Sequence, residues 1–559
     1  MTIAETPARK PALPLSTESL TSLIDRQARE QAHQTFLLTP DNGHDINFSQ
    51  LKQQVRAVAR FIGRQGVVRG QSVAYAMHNG PCCAVALLGI MYGGYRAVAV
   101  NLVAGRDVIA YVLAHSQTSL VLTQEDVAPS IIEALDTDAY QDERAADEWQ
   151  IRKTSVREPV NADTPVTIAR AGNALSPPVV SIDHACIRAW ADDAGDLPDD
   201  VLSGLPGDGD DALLMYTSGT TGRPKGVTLS HANLIAGGQN VATGHELGDK
   251  DRALCVLPLY HINGLCVTLL SPLVSAGSMV LPQRFSTSAF WRLVDVHQCT
   301  WFSVVPTQIA YLLRDADTRT HTDSQRPQLR FGRSASAPLS PDVHGEFEAV
   351  FSVPLIETMG LTETAAQILT NPMPPATRKP GSPGLPVGDE VIIVDKRLQP
   401  VAPGIEGELM VRGLNVMQRY FRNEAATGQA LVKGGWLRTG DLGRKDDSGY
   451  VYITGRLKEL IIKGGENIAP REIDDALYQH ADVVEAAAFS CPCQDFGQRV
   501  EAAVVLKANS SLSESDLIDA CVRRVGRFKC PDKIHFLQEL PKGPSGKIQR
   551  ARIPDLVNS

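Results

Sequence analysis

The chain has 559 residues, 43% of them hydrophobic, with 63 acidic residues against 54 Lys and Arg and a formal net charge of −9. That length exceeds what one hydrophobic core sustains and implies several domains. The acidic balance excludes a general attraction to nucleic acid or anionic membrane, so any polyanion must be held by a local arrangement of groups.

In chain order, residues 1–15 read as a flexible lead-in without the apolar run of a signal peptide. A large domain is expected over 16–455. Phe48-Ser-Gln-Leu-Lys-Gln-Gln-Val-Arg-Ala-Val-Ala-Arg-Phe-Ile has apolar residues at helical spacing, Ser72 to Met77 reads as a strand, Ala84 to Tyr92 as an apolar helix, and Ala97 to Val100 as a second strand. Such alternation predicts parallel sheet with crossover helices. The apolar stretches near 84–100 and 266–281 are interrupted by Arg96, Pro272 and glycines and fall short of the ~20 residues of a membrane span. Residues 138–210 are polar and acidic in patches and read as a variable connector. Strand-like segments at Glu390 to Asp395, Gly407 to Arg412 and Gly449 to Thr454, separated by turn residues, predict a β-rich subdomain. Residues 456–559 have their own strand and helix pattern and predict a small α+β C-terminal domain. The ten cysteines lack zinc-site spacing, and small buried thiols in a cytoplasmic protein are expected.

The most informative stretch is Leu213-Leu-Met-Tyr-Thr-Ser-Gly-Thr-Thr-Gly-Arg-Pro-Lys-Gly226. An apolar strand runs into hydroxyls (Thr217, Ser218, Thr220, Thr221), two glycines that let backbone N–H groups approach closely (Gly219, Gly222) and one point charge (Lys225). These are the groups that hold polyphosphate. The ordinary P-loop needs a second glycine five residues after its first, then Lys and then Ser or Thr; here Pro224 stands in the place of that glycine and Gly226 follows Lys225. Ser230 is placed to cap the helix that follows.

This loop resembles the phosphate-binding loop of the AMP-forming adenylating enzymes, the superfamily of acyl-CoA synthetases, firefly-type luciferases and peptide-synthetase adenylation domains. The fold it implies is a large N-terminal domain of α/β subdomains plus a β-rich subdomain, followed by a small mobile domain. Four further strings match in order. In Met359-Gly360-Leu-Thr-Glu-Thr, Thr362 can donate to an α-phosphate and Glu363 is a hard oxygen ligand suited to Mg²⁺; Met359 takes the place of the tyrosine that usually stacks adenine. In Leu437-Arg-Thr-Gly-Asp441, the carboxylate can accept both ribose hydroxyls, with Arg456 adding a donor. Lys458 stands where relatives carry a hinge residue, and Gly464-Gly465 offers a backbone against which pantetheine could lie. Lys547, in Pro544-Ser-Gly-Lys, resembles the lysine that bridges carboxylate and α-phosphate during adenylation. The implied cofactors and substrates are ATP, Mg²⁺, coenzyme A and a small acid, with no nucleic-acid partner; the oligomeric state is not indicated.

Arg333, Ser334 and Ser336, in Arg333-Ser-Ala-Ser-Ala, fall where many relatives carry a Ser-Gly-Gly-Ala turn lining the acyl and adenine pockets. Against a greasy tail those polar groups would stay unpaired at about 1–3 kcal/mol each; a second anionic group would satisfy them, because guanidinium pairs bidentately with carboxylate or sulfonate. The alternative is a structural ion pair outside the pocket. Together with Leu257-Pro-Leu-Tyr-His-Ile-Asn-Gly, the string resembles the oxalate–CoA ligase branch, which places His261 toward the acid. A second histidine of that branch is replaced by Asn263, so sulfoacetate, a bulkier two-carbon dianion, is the substitute expected beside oxalate. The alternative functions are loading of a separate carrier protein, ligation of another small or aromatic acid, a luciferase-like oxygenase, or nucleotide binding without catalysis.

Overall fold

The alternating pattern folds into an α/β architecture with a large N-terminal domain and a small C-terminal one. The computed structural model describes residues 18–40, 43–145, 167–169, 176–192, 204, 206–217, 223–315, 326–480, 482–507, 510–543 and 548–557; the lead-in expected over 1–15 lies outside them.

One sheet of eight strands runs in the order Arg419–Tyr420, Lys225–Ser230, Asp211–Thr217, Arg96–Ala99, Ser72–Ala76, Thr118–Thr123, Val179–Ser181, Thr167–Ala169, with a parallel centre. The helix Phe48–Arg64 buries Leu51, Val55, Val58 and Ile62 at spacings of four and three, and Asn47 and Gln50 cap it reciprocally. The helix Pro81–Tyr92 is buried on every side, which explains its uniformly apolar sequence.

A second sheet of nine strands runs Leu385–Pro386, Ala366–Thr370, Leu355–Leu361, Phe331–Ser334, Trp301–Val304, Arg252–Cys255, Ser278–Val280, Thr35–Leu38, Ile46–Asn47. Five strands, Glu390–Val394, Gly407–Arg412, Trp436–Lys445, Leu431–Val432 and Val451–Arg456, form the antiparallel sheet expected from their turn-separated pattern. The C-terminal sheet runs Glu466–Ile468, Ile461–Lys463, Gly497–Leu506, Val483–Cys493, with Lys533–Phe536 beside Gly497–Leu506.

The stretch 138–210, read as a connector, is more integrated where it is described. Val179–Ser181 pairs in parallel with Thr118–Thr123, and the helix His184–Asp192 stacks Trp190 on Phe61 at 4.4 Å. A three-residue strand among prolines and polar residues carries too short a period to stand out in the sequence. Among the described residues no helix is long and apolar enough to cross a membrane.

Asp389 is a buried carboxyl where the five-stranded sheet meets the large core. One oxygen, Oδ2, accepts from Asn415 Nδ2 at 2.9 Å and Asn240 Nδ2 at 3.2 Å, while Oδ1 is buried without a hydrogen bond. Burial pushes its pKa up from 3.8 to about 7, against the two amide donors. The folded chain therefore holds a proton that the unfolded chain releases above pH ~4, and stability falls as pH rises toward 7 by up to about 1.4 kcal/mol per unit. Asp389→Asn removes that slope: in denaturant titrations from pH 4.5 to 8 the variant should gain on the parent as pH rises and level off above 7.

Candidate functional site

Strands Asp211–Thr217 and Lys225–Ser230 form an antiparallel hairpin whose register sets Thr217 opposite Lys225. Ser218, Gly219, Thr220, Thr221 and Gly222 lie outside the described residues. Ser230 caps the helix His231–Gly244 in a reciprocal box with Asn233, and Asn233 Nδ2 donates to the carbonyls of Leu414 and Val416. Those bonds bring the segment carrying Arg419–Tyr420 against the hairpin, where Tyr420 pairs with Val227.

Tyr420 links two groups the sequence had singled out separately. Its hydroxyl donates to Glu363 Oε1 at 2.8 Å, and Lys225 Nζ sits 4.5 Å from the centre of its ring. Glu363 projects from the short turn Thr362–Thr364, held by Met417 N–H on the Glu363 carbonyl at 2.8 Å. Gly360 enters this turn so closely that a Cβ would lie 1.7 Å from the Ala366 carbonyl oxygen, and the following Ala365 and Ala366 take φ of 43° and 86°. Strain of this kind gathers where groups must be aimed. Burial lowers the Lys225 pKa first and Lys458 lowers it further, with Glu363 opposing both. Tyr420→Phe keeps the ring under Lys225 and removes the donor to Glu363; for the magnesium nucleotide expected from the sequence, it should raise the magnesium requirement several-fold, read from initial rates at varied magnesium.

The hairpin Trp436–Lys445 and Val451–Arg456 sets Asp441 opposite Arg456, and Arg456 Nε donates to Asp441 Oδ1 at 2.7 Å. Lys458 is exposed in the next turn, Leu457–Glu459. Gly464 and Gly465, with φ of 60° and 86°, make the two-residue turn between Ile461–Lys463 and Glu466–Ile468. A turn with two positive φ values is by itself sufficient reason for both glycines. Lys547 lies outside the described residues; on the flanking residues, Lys542 and Ile548 form a bridge and Gln549 N–H donates to the Pro541 carbonyl at 2.7 Å.

Of the remaining candidates, Arg333, Asn263 and Ser336 meet at the end of strand Phe331–Ser334. Arg333 is 1% exposed. Its Nη1 donates to Asn263 Oδ1 at 3.0 Å and Ser303 Oγ at 3.1 Å, and its Nε to Gln367 Oε1 at 3.4 Å. Among the described residues no carboxylate pairs with it, which answers the alternative of a structural ion pair. Burial lowers its pKa to about 9, so it remains a cation at neutral pH. Asn263 Nδ2 also donates to Ser336 Oγ at 3.1 Å, and Ser336 holds a left-handed φ of 73°. His261 begins the turn into the helical segment Asn263–Leu270 that carries Asn263. Ser334 does not join this cluster: adjacent strand residues point to opposite faces, and its Oγ is buried without a hydrogen bond. Met359 is half-buried in strand Leu355–Leu361, two strands from Ser303.

Sequence reasoning missed Tyr420, Ser303 and Gln367. None sits in a recognisable string; sheet pairing alone brings them in. Among the described residues no three His, Cys, Asp or Glu side chains cluster to hold a metal. Glu363 is a single carboxylate positioned by Tyr420, which also carries Lys225 on its ring, a donor set that suits a magnesium ion carried by a ligand's own oxygens rather than one caged by protein.

The model of the AMP-binding enzyme matches residues 24–421, and that of the AMP-binding enzyme C-terminal domain matches 472–547. The sulfoacetate–CoA ligase of Cupriavidus necator is 43% identical over 96% of this chain and 97% of its own. The oxalate–CoA ligase of Arabidopsis thaliana is 31% identical over 96% of this chain and 98% of its own. Among solved structures, o-succinylbenzoate coenzyme A synthetase of Bacillus subtilis in complex with ATP and magnesium ion superposes with a TM-score of 0.77, at 27% identity over 95% of this chain and 99% of that one.

Proposed function

This chain belongs to the family of AMP-binding enzymes, and we propose that it is an AMP-forming acid–CoA ligase whose substrate is a two-carbon acid with a second anionic group, of the sulfoacetate or oxalate type. The observation that carries the choice of acid is Arg333: a buried cation whose hydrogen-bond partners, Asn263, Ser303 and Gln367, are all neutral. Removing a charge from water costs several kcal/mol unless an opposite charge enters with it, and a sulfonate or carboxylate on the substrate supplies that charge. The near-relatives named for sulfoacetate and oxalate support the same reading.

In the first half-reaction the substrate carboxylate oxygen attacks the α-phosphorus of ATP and pyrophosphate departs. Thr217, Lys225 and the hydroxyls of the loop neutralise the triphosphate, and Lys547 bridges the attacking carboxylate and the α-phosphate. Asp441, held by Arg456, takes the ribose hydroxyls; Met359, Gly360 and Ser336 line the adenine side. Glu363 is the residue that would hold magnesium, which supplies charge neutralisation on the phosphates. In the second half-reaction the CoA thiolate attacks the acyl carbonyl and AMP leaves. The small domain turns about Lys458 between the two, withdrawing Lys547 and bringing Gly464 and Gly465 alongside pantetheine.

Incubation with ATP, magnesium, CoA and sulfoacetate or oxalate should release AMP and pyrophosphate in equal amounts with one CoA thioester, identified by mass spectrometry. Transfer to a carrier-protein pantetheine arm with no transfer to free CoA would overturn the reading.

A further inference from the structure

The guanidinium of Arg333 is aimed by a residue outside every recognised motif. Gln367 is fully buried on strand Ala366–Thr370. Its Oε1 accepts from Arg333 Nε at 3.4 Å and faces His245 Nε2 at 3.1 Å, while its Nε2 donates to the Asn240 carbonyl at 3.3 Å. Arg333 Nε can only donate and the Asn240 carbonyl can only accept, so the amide has one orientation, and His245 must carry its proton on Nε2. Burial, with Arg333 and Arg330 nearby, keeps His245 neutral, and its ring stacks on Phe331 at 4.9 Å. A fixed amide thus holds the Nε side of Arg333, and Asn263 and Ser303 hold Nη1.

From this we infer that Gln367 is a positioning residue that determines specificity: it orients Arg333 while withholding charge, so the counter-charge must come from the acid being activated. A glutamate in the same place would have nearly the same shape and would neutralise the guanidinium from within. The inference rests on the reading of Arg333 given under Proposed function.

The test uses the full-length enzyme and two acids of matched size, sulfoacetate and methylsulfonylacetate, which differ by one negative charge. The parent should favour sulfoacetate in kcat/KM by at least tenfold. Gln367→Glu should reduce that preference at least tenfold, mainly through the KM for sulfoacetate. Gln367→Met, which stays neutral and loses the acceptor, should raise that KM while keeping the preference for the dianion. A role in folding alone would lower both acids in parallel in both variants and leave the preference unchanged, which would overturn the inference while leaving Arg333 as the anion reader. Absence of any preference in the parent would overturn the dianion reading itself, and this inference with it.

Discussion

Lys547→Ala should lower acyl-adenylate formation from free acid and ATP by at least about 10²–10³-fold, the range seen when one preorganised donor to a developing charge is removed. In the same variant, CoA thioester formation from supplied acyl adenylate should change by no more than a few-fold. The split follows from two half-reactions with different charge demands. Attack on the α-phosphorus brings two anions together, and a cation must bridge them; thiolate attack on the mixed anhydride starts after pyrophosphate has gone. Single-turnover assays of the two steps separate these outcomes, and equal loss in both would refute the role proposed for Lys547.

Arg333→Met should cost the dianionic acid about 10²-fold or more in kcat/KM, the expectation for losing a desolvated, hydrogen-bonded charge partner at roughly 2–5 kcal/mol. The effect on folding should be much smaller than burial suggests. Among the described residues Arg333 has only neutral partners; the substitution removes a costly buried charge and takes one donor from each of three oxygens, of which Asn263 Oδ1 keeps Ser303 and Gln367 Oε1 keeps His245, so the opposing terms offset one another. Denaturant unfolding and acid kinetics measured side by side test both halves. A variant that unfolds readily and treats every acid alike would mark Arg333 as structural.

Much of the molecule was legible before its coordinates. The helix over Phe48 to Arg64 was carried by a strong 3.6-residue period, and the β-rich subdomain by short alternating runs between turns. Thr217, Lys225, Glu363, Asp441 and Arg456 could be singled out as candidates because their chemistry sits in strings whose residue types match a task. Tyr420 was hidden because nothing near it in the chain binds nucleotide; it reaches Glu363 and Lys225 through pairing of a two-residue strand with one that is nearly two hundred residues distant. Ser303 was hidden because neighbouring strands in a parallel sheet are separated by whole crossovers; Gln367, on a strand antiparallel to Leu355–Leu361, follows Glu363 closely in the chain but has no charge to mark it. Ser334 is a different case, since it does not join the Arg333 cluster. Its neighbour Arg333 lies on a strand, and the two-residue period alone separates their faces.

The central claim, that a substrate dianion completes a site built around an unpaired buried arginine, is tested most directly by one acid panel. Sulfoacetate, oxalate, malonate, acetate and a medium-chain fatty acid are compared for CoA-dependent AMP release at equal concentration. The account predicts that a two-carbon dianion leads, with acetate and the fatty acid at least tenfold lower in kcat/KM. A fatty acid or acetate in first place would contradict it.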